Sequence, residues 1–150
     1  MGNLKLSGDN NSILDLSVAK KYLVYVQDYP LTLDVAFPLF SWSLLFDDQH
    51  RFSGILSKIT EEQLKNAALF NPLGNHLYQV KTDTTWQGYN LKRAATIRFE
   101  SCSTQDLTKL ASLISGRVPN CSTIIFYHLD SLTISKYSND DLEKIYRTMH

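Results

Sequence analysis

The chain has 150 residues, with 15 Lys and Arg residues balanced by 15 Asp and Glu residues, so its formal net charge is zero. Its 43% hydrophobic content is enough for a core, and its length suits one domain over residues 1–150. It has no basic block, so we expect no nucleic-acid partner. No apolar run approaches the ~18 residues of a membrane span, and the chain itself carries no signal-peptide pattern.

The first predicted elements are a helix and a strand. Apolar residues spaced by three and four over residues 13–26 predict a helix that has Ser12 as its N-cap and ends before Pro30. Residues 31–37 (LTLDVAF) include β-branched and aromatic side chains and predict a strand, with Asp34 on its polar side.

The middle of the chain predicts several short elements. Residues 43–46 and 52–56 flank a turn-rich tetrad and predict a β-hairpin inserted after the first strand. A capping box at Thr60 begins a short helix that continues to about Phe70. Loose alternation over residues 77–93 predicts a further pair of short strands.

The last third of the chain predicts a βαβ unit and a final helix. Strand 95–101 is followed by helix 104–115 and by the nearly continuous apolar strand 122–129. A crossover of this kind is right-handed and makes its strands parallel. A final helix is predicted over residues 138–149.

This order of elements predicts an α/β fold, the C-terminal portion of a partial (β/α)8, TIM-like barrel. Strands 31–37, 95–101 and 122–129 would form one parallel sheet, whose open edges are a hazard unless they are covered. A barrel also finishes on a strand and a covering helix. The alternative is a compact three-layer α/β domain whose hairpins cover the edges. Open edges would also allow the chain to pair with a second copy of itself.

Two segments carry a resemblance to a known family. The segment YPLTLDVAFPLFSWSLLFDDQHRFSGIL and the ending FYHLDSLTISKYSNDDLEKIY resemble uncharacterised bacterial lipoproteins that have a barrel fold related to glycoside hydrolases. The resemblance implies a location in the cell envelope or periplasm and half a barrel upstream of this chain. Ser43 stands where the family often has glycine, which affects the expected local turn.

Candidate catalytic residues follow from the barrel hypothesis, because functional groups of barrels collect at the carboxyl ends of strands. That rule selects Glu100, at the end of one predicted strand, and His128 and Asp130, at the end of another. Either carboxylate would act as a general acid or base, and a carboxylate pair would suit glycoside hydrolysis.

Candidate substrate-binding residues lie beside these positions. Aromatic rings offer stacking faces for a sugar, and the polar sides of the strands would point into the barrel; the set is Phe40, Ser41, Trp42, Asp34, Arg98 and Tyr127. Carbohydrate is therefore the expected partner. The sequence has no metal-ligand spacing and no phosphate-binding glycine loop, so neither a metal nor a cofactor is expected.

Two functional hypotheses remain at this point. In the first, the chain is part of a carbohydrate-active, hydrolase-like barrel of the cell envelope. In the second, it is a non-catalytic binding or structural domain, in which the inward charges form an ion network around Arg98.

Overall fold

The computed structural model describes residues 4–5, 11–26, 28–118, 121–128 and 130–149. The helices are α1 (Leu16–Leu23), α2 (Glu61–Leu64), α3 (Thr104–Ser115), α4 (Ser131–Ile134) and α5 (Asn139–Met149). The strands are β1 (Leu33–Pro38), β2 (Trp42–Phe46), β3 (Phe52–Leu56), β4 (Phe70–Gly74), β5 (Leu77–Val80), β6 (Thr84–Trp86), β7 (Tyr89–Leu91), β8 (Thr96–Glu100) and β9 (Cys121–Tyr127).

The chain divides into two compact units. The sheet unit comprises Asn3–Ser12 and Ser41–Ser101, and the helix unit comprises Met1–Gly2, Ile13–Phe40 and Cys102–His150. Each unit has its own hydrophobic core. The interpretation of the chain as one domain stays a prediction.

A five-stranded antiparallel sheet forms the centre of the sheet unit. Its order is β3-β2-β8-β5-β4, so β8 is hydrogen-bonded on both edges, to β2 and to β5. All five residues of β8 are buried. Because side chains alternate along a strand, Ile97 and Phe99 face one side, whereas Thr96, Arg98 and Glu100 face the other.

The apolar side of this sheet carries the core of the sheet unit. Its buried members come from the strands, from α2 and from the loops between them: Leu56, Ile59, Leu64, Phe70, Tyr78, Val80, Leu91, Ala95, Ile97 and Phe99. Strands β6 and β7 form a separate hairpin, joined at Gln87 and Gly88. Both residues have positive φ, as a two-residue type I′ turn requires.

A parallel pair of strands and the longer helices form the helix unit. β1 and β9 pair in parallel, with Val35 opposite Ile124 and Phe37 opposite Phe126. These four side chains face a core to which α1, α3 and α5 contribute. Helix α3 has Ser103 as its N-cap, and its buried residues are spaced by three and four: Leu107, Leu110, Ala111 and Ile114.

The predicted TIM-like (β/α)8 barrel portion is wrong. The chain is mostly β-sheet, and β8 pairs antiparallel with β2 and β5, whereas among the described strands only β1 and β9 are parallel. The described strands close no barrel. The βαβ prediction failed because α3 leads out of β8 into a strand that joins a different sheet. The hairpin predicted as an insertion supplies β2, a direct neighbour of β8.

Several local predictions are confirmed and others are wrong. The hairpin β2–β3, the bounds of α3 and the start of α5 agree with the sequence patterns. The capping box at Thr60 is present, but its helix ends at Leu64, and Phe70 begins β4. The first helix has Asp15 as its N-cap instead of Ser12. The predicted end of the last strand at Leu129 lies outside the described residues.

Tyr137 joins the segments around the carboxyl end of β1 in the helix unit. Its side chain is buried, and its hydroxyl donates to the carbonyl of Cys102 at 2.7 Å and lies 3.3 Å from that of Leu39. Burial, with a smaller contribution from Cys102, raises the pKa of Tyr137 to about 12. The folded chain therefore favours the neutral phenol.

Tyr137→Phe is expected to reduce the loss of stability at alkaline pH. The pKa of Tyr137 in the folded chain lies above its unfolded value of about 10. The contribution of the Tyr137 hydroxyl to the free energy of unfolding is therefore fully present below about pH 10 and is lost as the pH rises to about 12. The difference in unfolding free energy between wild type and variant should therefore shrink, by up to about 2–3 kcal/mol, across that window. Urea unfolding at several alkaline pH values measures it.

The matched control is Tyr22→Phe, because the Tyr22 side chain is exposed. The unfolding free energy of this variant should change with pH in the same way as that of the wild type. An identical pH dependence for wild type and Tyr137→Phe would contradict the proposed role of the buried phenol.

Candidate functional site

The nine predicted site residues fall into both units. Ser41, Trp42, Arg98 and Glu100 belong to the sheet unit. The helix unit contains the other five, which are Asp34, Phe40, Tyr127, His128 and Asp130. The prediction that they line one barrel cavity depended on a barrel that does not form. The four residues of the sheet unit and the five of the helix unit are therefore described separately.

In the sheet unit, the carboxylate of Glu100 is the centre of a buried polar cluster. Glu100 is directly opposite Trp42 in the β2–β8 register, and the Trp42 indole Nε1 donates to Glu100 Oε2 at 2.8 Å. The same oxygen accepts the backbone N–H of Ser12 at 3.0 Å and the Ser12 hydroxyl. Two segments of the chain thus converge on one oxygen atom.

The other oxygen of Glu100 pairs with Arg98. Arg98 Nε and Nη2 lie 2.8 and 2.7 Å from Glu100 Oε1, and Nη1 donates to the carbonyl of Lys5 at 2.7 Å. The guanidinium also lies over the ring of Phe46, at 5.2 Å from its centroid. Arg98 and Glu100 are only 5% and 4% exposed. Of the charges predicted to surround Arg98, Glu100 forms a buried ion pair with it, whereas Asp34, His128 and Asp130 belong to the helix unit.

The cluster is built to hold the N-terminal segment against β8. Asn11 Nδ2 adds a bond to the carbonyl of Ser101 at 2.6 Å, next to the contacts from Ser12 and Lys5. In the described residues, every buried side-chain nitrogen or oxygen has a hydrogen-bond partner. Both oxygens of Glu100 are thus engaged, which favours a structural role over proton transfer to a substrate.

Ser12 was missed as a member of this cluster. Its position before an apolar, helix-periodic segment indicated an N-cap, whereas Asp15 takes that role and Ser12 contacts Glu100 instead, 88 positions further along the chain. A contact between residues so far apart in the chain cannot be predicted from a local sequence pattern.

In the helix unit, aromatic side chains gather at the carboxyl end of the parallel strands. The backbone N–H of Leu39 donates to the carbonyl of Tyr127, so the loop after β1 stays beside the end of β9. The rings of Phe40 and Tyr127 then meet edge to face, with centroids 6.0 Å apart. Tyr127 is 58% exposed, so its ring is available to a ligand.

A histidine and a carboxylate follow this aromatic pair. His128 Nε2 lies 2.7 Å from Asp130 Oδ2, and both side chains are partly exposed. Asp130 is the N-cap of α4 and also accepts the backbone N–H and the hydroxyl of Thr133, at 2.9 and 2.7 Å. Nε2 therefore carries the proton toward Asp130, and Nδ1 is the acceptor of the neutral imidazole. Thr133 was not identified from the sequence.

Asp34 lies on the outer face of the parallel pair. It is exposed, as are its neighbours on that face, Ala36 and Ile125. Parallel strands are usually covered on both faces, so an uncovered face is unusual.

Ser41 is half-buried and begins the sheet unit directly after Phe40.

Known proteins give no further guide to the site. No family model, curated protein or solved structure matches this chain. The comparisons thus return neither a lipoprotein nor a glycoside hydrolase, and with the barrel excluded, the glycoside-hydrolase description is withdrawn. What the fold defines is a mostly β chain with an antiparallel five-stranded sheet.

Within the described ranges, no three His, Cys, Asp or Glu side chains come together in a way that could hold a metal ion. None of the helices in those ranges is long and apolar enough to cross a bilayer.

Glu100→Gln is expected to lower the unfolding free energy by about 3 kcal/mol, because it leaves the buried guanidinium of Arg98 without its counter-charge. The amide oxygen of the substituted side chain can still accept bonds from Ser12 and Trp42, so the main effect is loss of charge. Urea unfolding followed by Trp fluorescence measures this change.

Glu62→Gln is the matched control in the same unit. Glu62 pairs with Lys65 at 2.9 Å, but both side chains are exposed, so its loss should cost less than about 1 kcal/mol. Equal effects of the two variants would show that the buried pair does not stabilise the sheet unit.

Proposed function

We propose that this chain is a non-catalytic binding domain that recognises carbohydrate at the carboxyl end of the β1–β9 pair. The exposed ring of Tyr127, supported at its side by Phe40, is the observation that carries this proposal. The Arg98–Glu100 pair then serves the stability of the sheet unit.

The chemistry of the exposed groups supports a sugar ligand. A sugar ring has an apolar face of C–H groups, which packs against an aromatic ring, and a rim of hydroxyls that need hydrogen-bond partners. Tyr127 supplies the first, and its phenol hydroxyl and the Nδ1 atom of His128 supply a donor and an acceptor close by. The Tyr127 and His128 ring centroids are 5.5 Å apart, so both side chains can contact one bound ring.

The engagement of Glu100 argues against a hydrolytic role for this residue. A general acid or base must reach the substrate directly or through one water molecule, and it needs an available oxygen. Glu100 is nearly inaccessible and uses both oxygens within the fold. Asp130 is more accessible, but its two oxygens accept bonds from Thr133 and contact His128.

A second copy of the chain is an alternative partner for the same region. Ile125 and Tyr127 leave apolar area on the outer face of β9, and neither β1 nor β9 has a second neighbouring strand among the described residues. A copy paired at either edge would extend the sheet. Light scattering of the purified chain separates this alternative from sugar binding. A location in the cell envelope or periplasm is part of this proposal.

Tyr127→Ala is expected to weaken binding to soluble polysaccharides by about tenfold, through loss of ring stacking and apolar contact. Affinity electrophoresis through gels that contain xylan, mixed-linkage β-glucan or glycol chitin measures the retardation. Titration calorimetry with the matching oligosaccharide gives the change in Kd.

The control is Tyr25→Ala in the same unit, since Tyr25 is 80% exposed and lies away from the Phe40–Tyr127 pair in sequence. This variant should keep wild-type retardation. The proposal fails if no polysaccharide retards the wild type, or if both variants lose binding equally. Release of shorter oligosaccharides by the wild type but not by Glu100→Gln, under conditions where both are folded, would instead identify an enzyme.

A further inference from the structure

Helices α1 and α3 leave an open groove between them in the helix unit. Two adjoining hollows of about 540 and 320 Å³ form it, and they share Lys20 and Leu113 as lining residues. On α1, Leu16 and Lys20 are four residues apart, and Val24 follows after another four. On α3, the same spacing relates Lys109 and Leu113, which therefore lie on one side of the helix, and Arg117 follows just beyond its C-terminal end.

The floor of this groove is apolar. Leu16 and Leu23 are half-buried and pack against the core of the helix unit from α1, and Leu113 lines both hollows from α3. Leu113 is half-buried, although it does not belong to the core cluster. The floor therefore offers apolar surface that a partner can bury.

The edges of the groove are basic. Lys20 and Lys21 line it from α1, Lys109 lines it from α3, and Arg117 lines it from just beyond α3, whereas no acidic side chain from the described part of the chain lines either hollow. Lys109 lies 4.0 Å from Asp106, a loose contact between exposed groups. Among the described residues, no carboxylate forms an ion pair with Lys20, Lys21 or Arg117.

We propose that this groove binds an acidic amphipathic helix from a partner protein. Apolar side chains of the partner, spaced by three and four residues, would enter between α1 and α3, and its carboxylates would face the four cations. The 8 residues of α1 extend for about 12 Å and the 12 residues of α3 for about 18 Å, the lengths of about two and three turns of a partner helix. A concave apolar floor between basic edges suits an inserted helix better than a flat lipid surface.

The test uses the 150-residue chain and a fluorescein-labelled synthetic peptide of about 16 residues, long enough to span the groove. The peptide has Leu at positions related by three and four and Glu at the others. Fluorescence anisotropy should show binding that weakens about tenfold with Lys20→Glu, because attraction becomes repulsion. Raising the salt from about 0.1 M to 1 M should also weaken it, since the Debye length falls from about 10 to 3 Å.

Leu113→Ser separates the apolar part of the interaction from the ionic part. It should weaken binding by a factor that remains at high salt, because burial of apolar area is not screened. Lys58→Glu is the matched control, since it makes the same charge change at an exposed lysine of the sheet unit. It should leave the affinity within about twofold of the wild type. Circular dichroism confirms that each variant is folded.

Three outcomes would overturn the proposal. The first is no binding of the acidic peptide up to about 1 mM. The second is equal weakening by Lys20→Glu and Lys58→Glu, which would indicate attraction by the overall charge alone. The third is sedimentation of the chain with phosphatidylserine vesicles, lost in Lys20→Glu, without binding of the peptide. That result would make the groove a membrane contact. A basic peptide with the same Leu positions should not bind.

Discussion

The carboxylate of Glu100 is the group on which the sheet unit depends most. It lies at the end of the central strand and accepts hydrogen bonds from Ser12, from Trp42 and from Arg98. These donors come from the N-terminal segment, from β2 and from β8 itself. A buried charge is tolerated only when it is paired and hydrogen-bonded, so removal of any donor leaves the carboxylate less well satisfied. One side chain thereby links parts of the chain that are far apart in sequence.

Environment separates Glu100 from the other strand-end carboxylate, that of Asp130. Both were selected by the same rule, yet Glu100 is inaccessible and faces an arginine, whereas Asp130 is partly exposed and faces His128. Carboxylates of one chemical type take different roles when their surroundings differ. Here Glu100 is suited to hold segments together. Asp130 orients an imidazole next to an exposed tyrosine ring, where a ligand can reach both.

Local elements were predictable from the sequence, but their pairing was not. Ser103 and the periodic apolar residues that follow it specify α3, and Thr60 with Gln63 specifies the start of α2. The alternation of Ile97 and Phe99 with Arg98 and Glu100 indicated the two faces of β8. That alternation is itself typical of an antiparallel strand, since strands of parallel sheets read as nearly continuous apolar runs. It did not report which strands lie beside β8. The barrel hypothesis failed at that step.

The two proposed surfaces of the helix unit differ in shape, and shape decides what each can bind. The face of β1 and β9 that carries Ile125 and Tyr127 is left exposed by the described residues, unlike the usual face of a parallel pair, and its most exposed aromatic ring lies at one end. A ring of that kind suits a flat ligand whose hydroxyls reach His128. The groove between α1 and α3 is lined by Leu113, which is common to both of its hollows, and by lysines from both helices. A partner with apolar side chains on one face and carboxylates around them fills it without leaving either kind of surface unsatisfied.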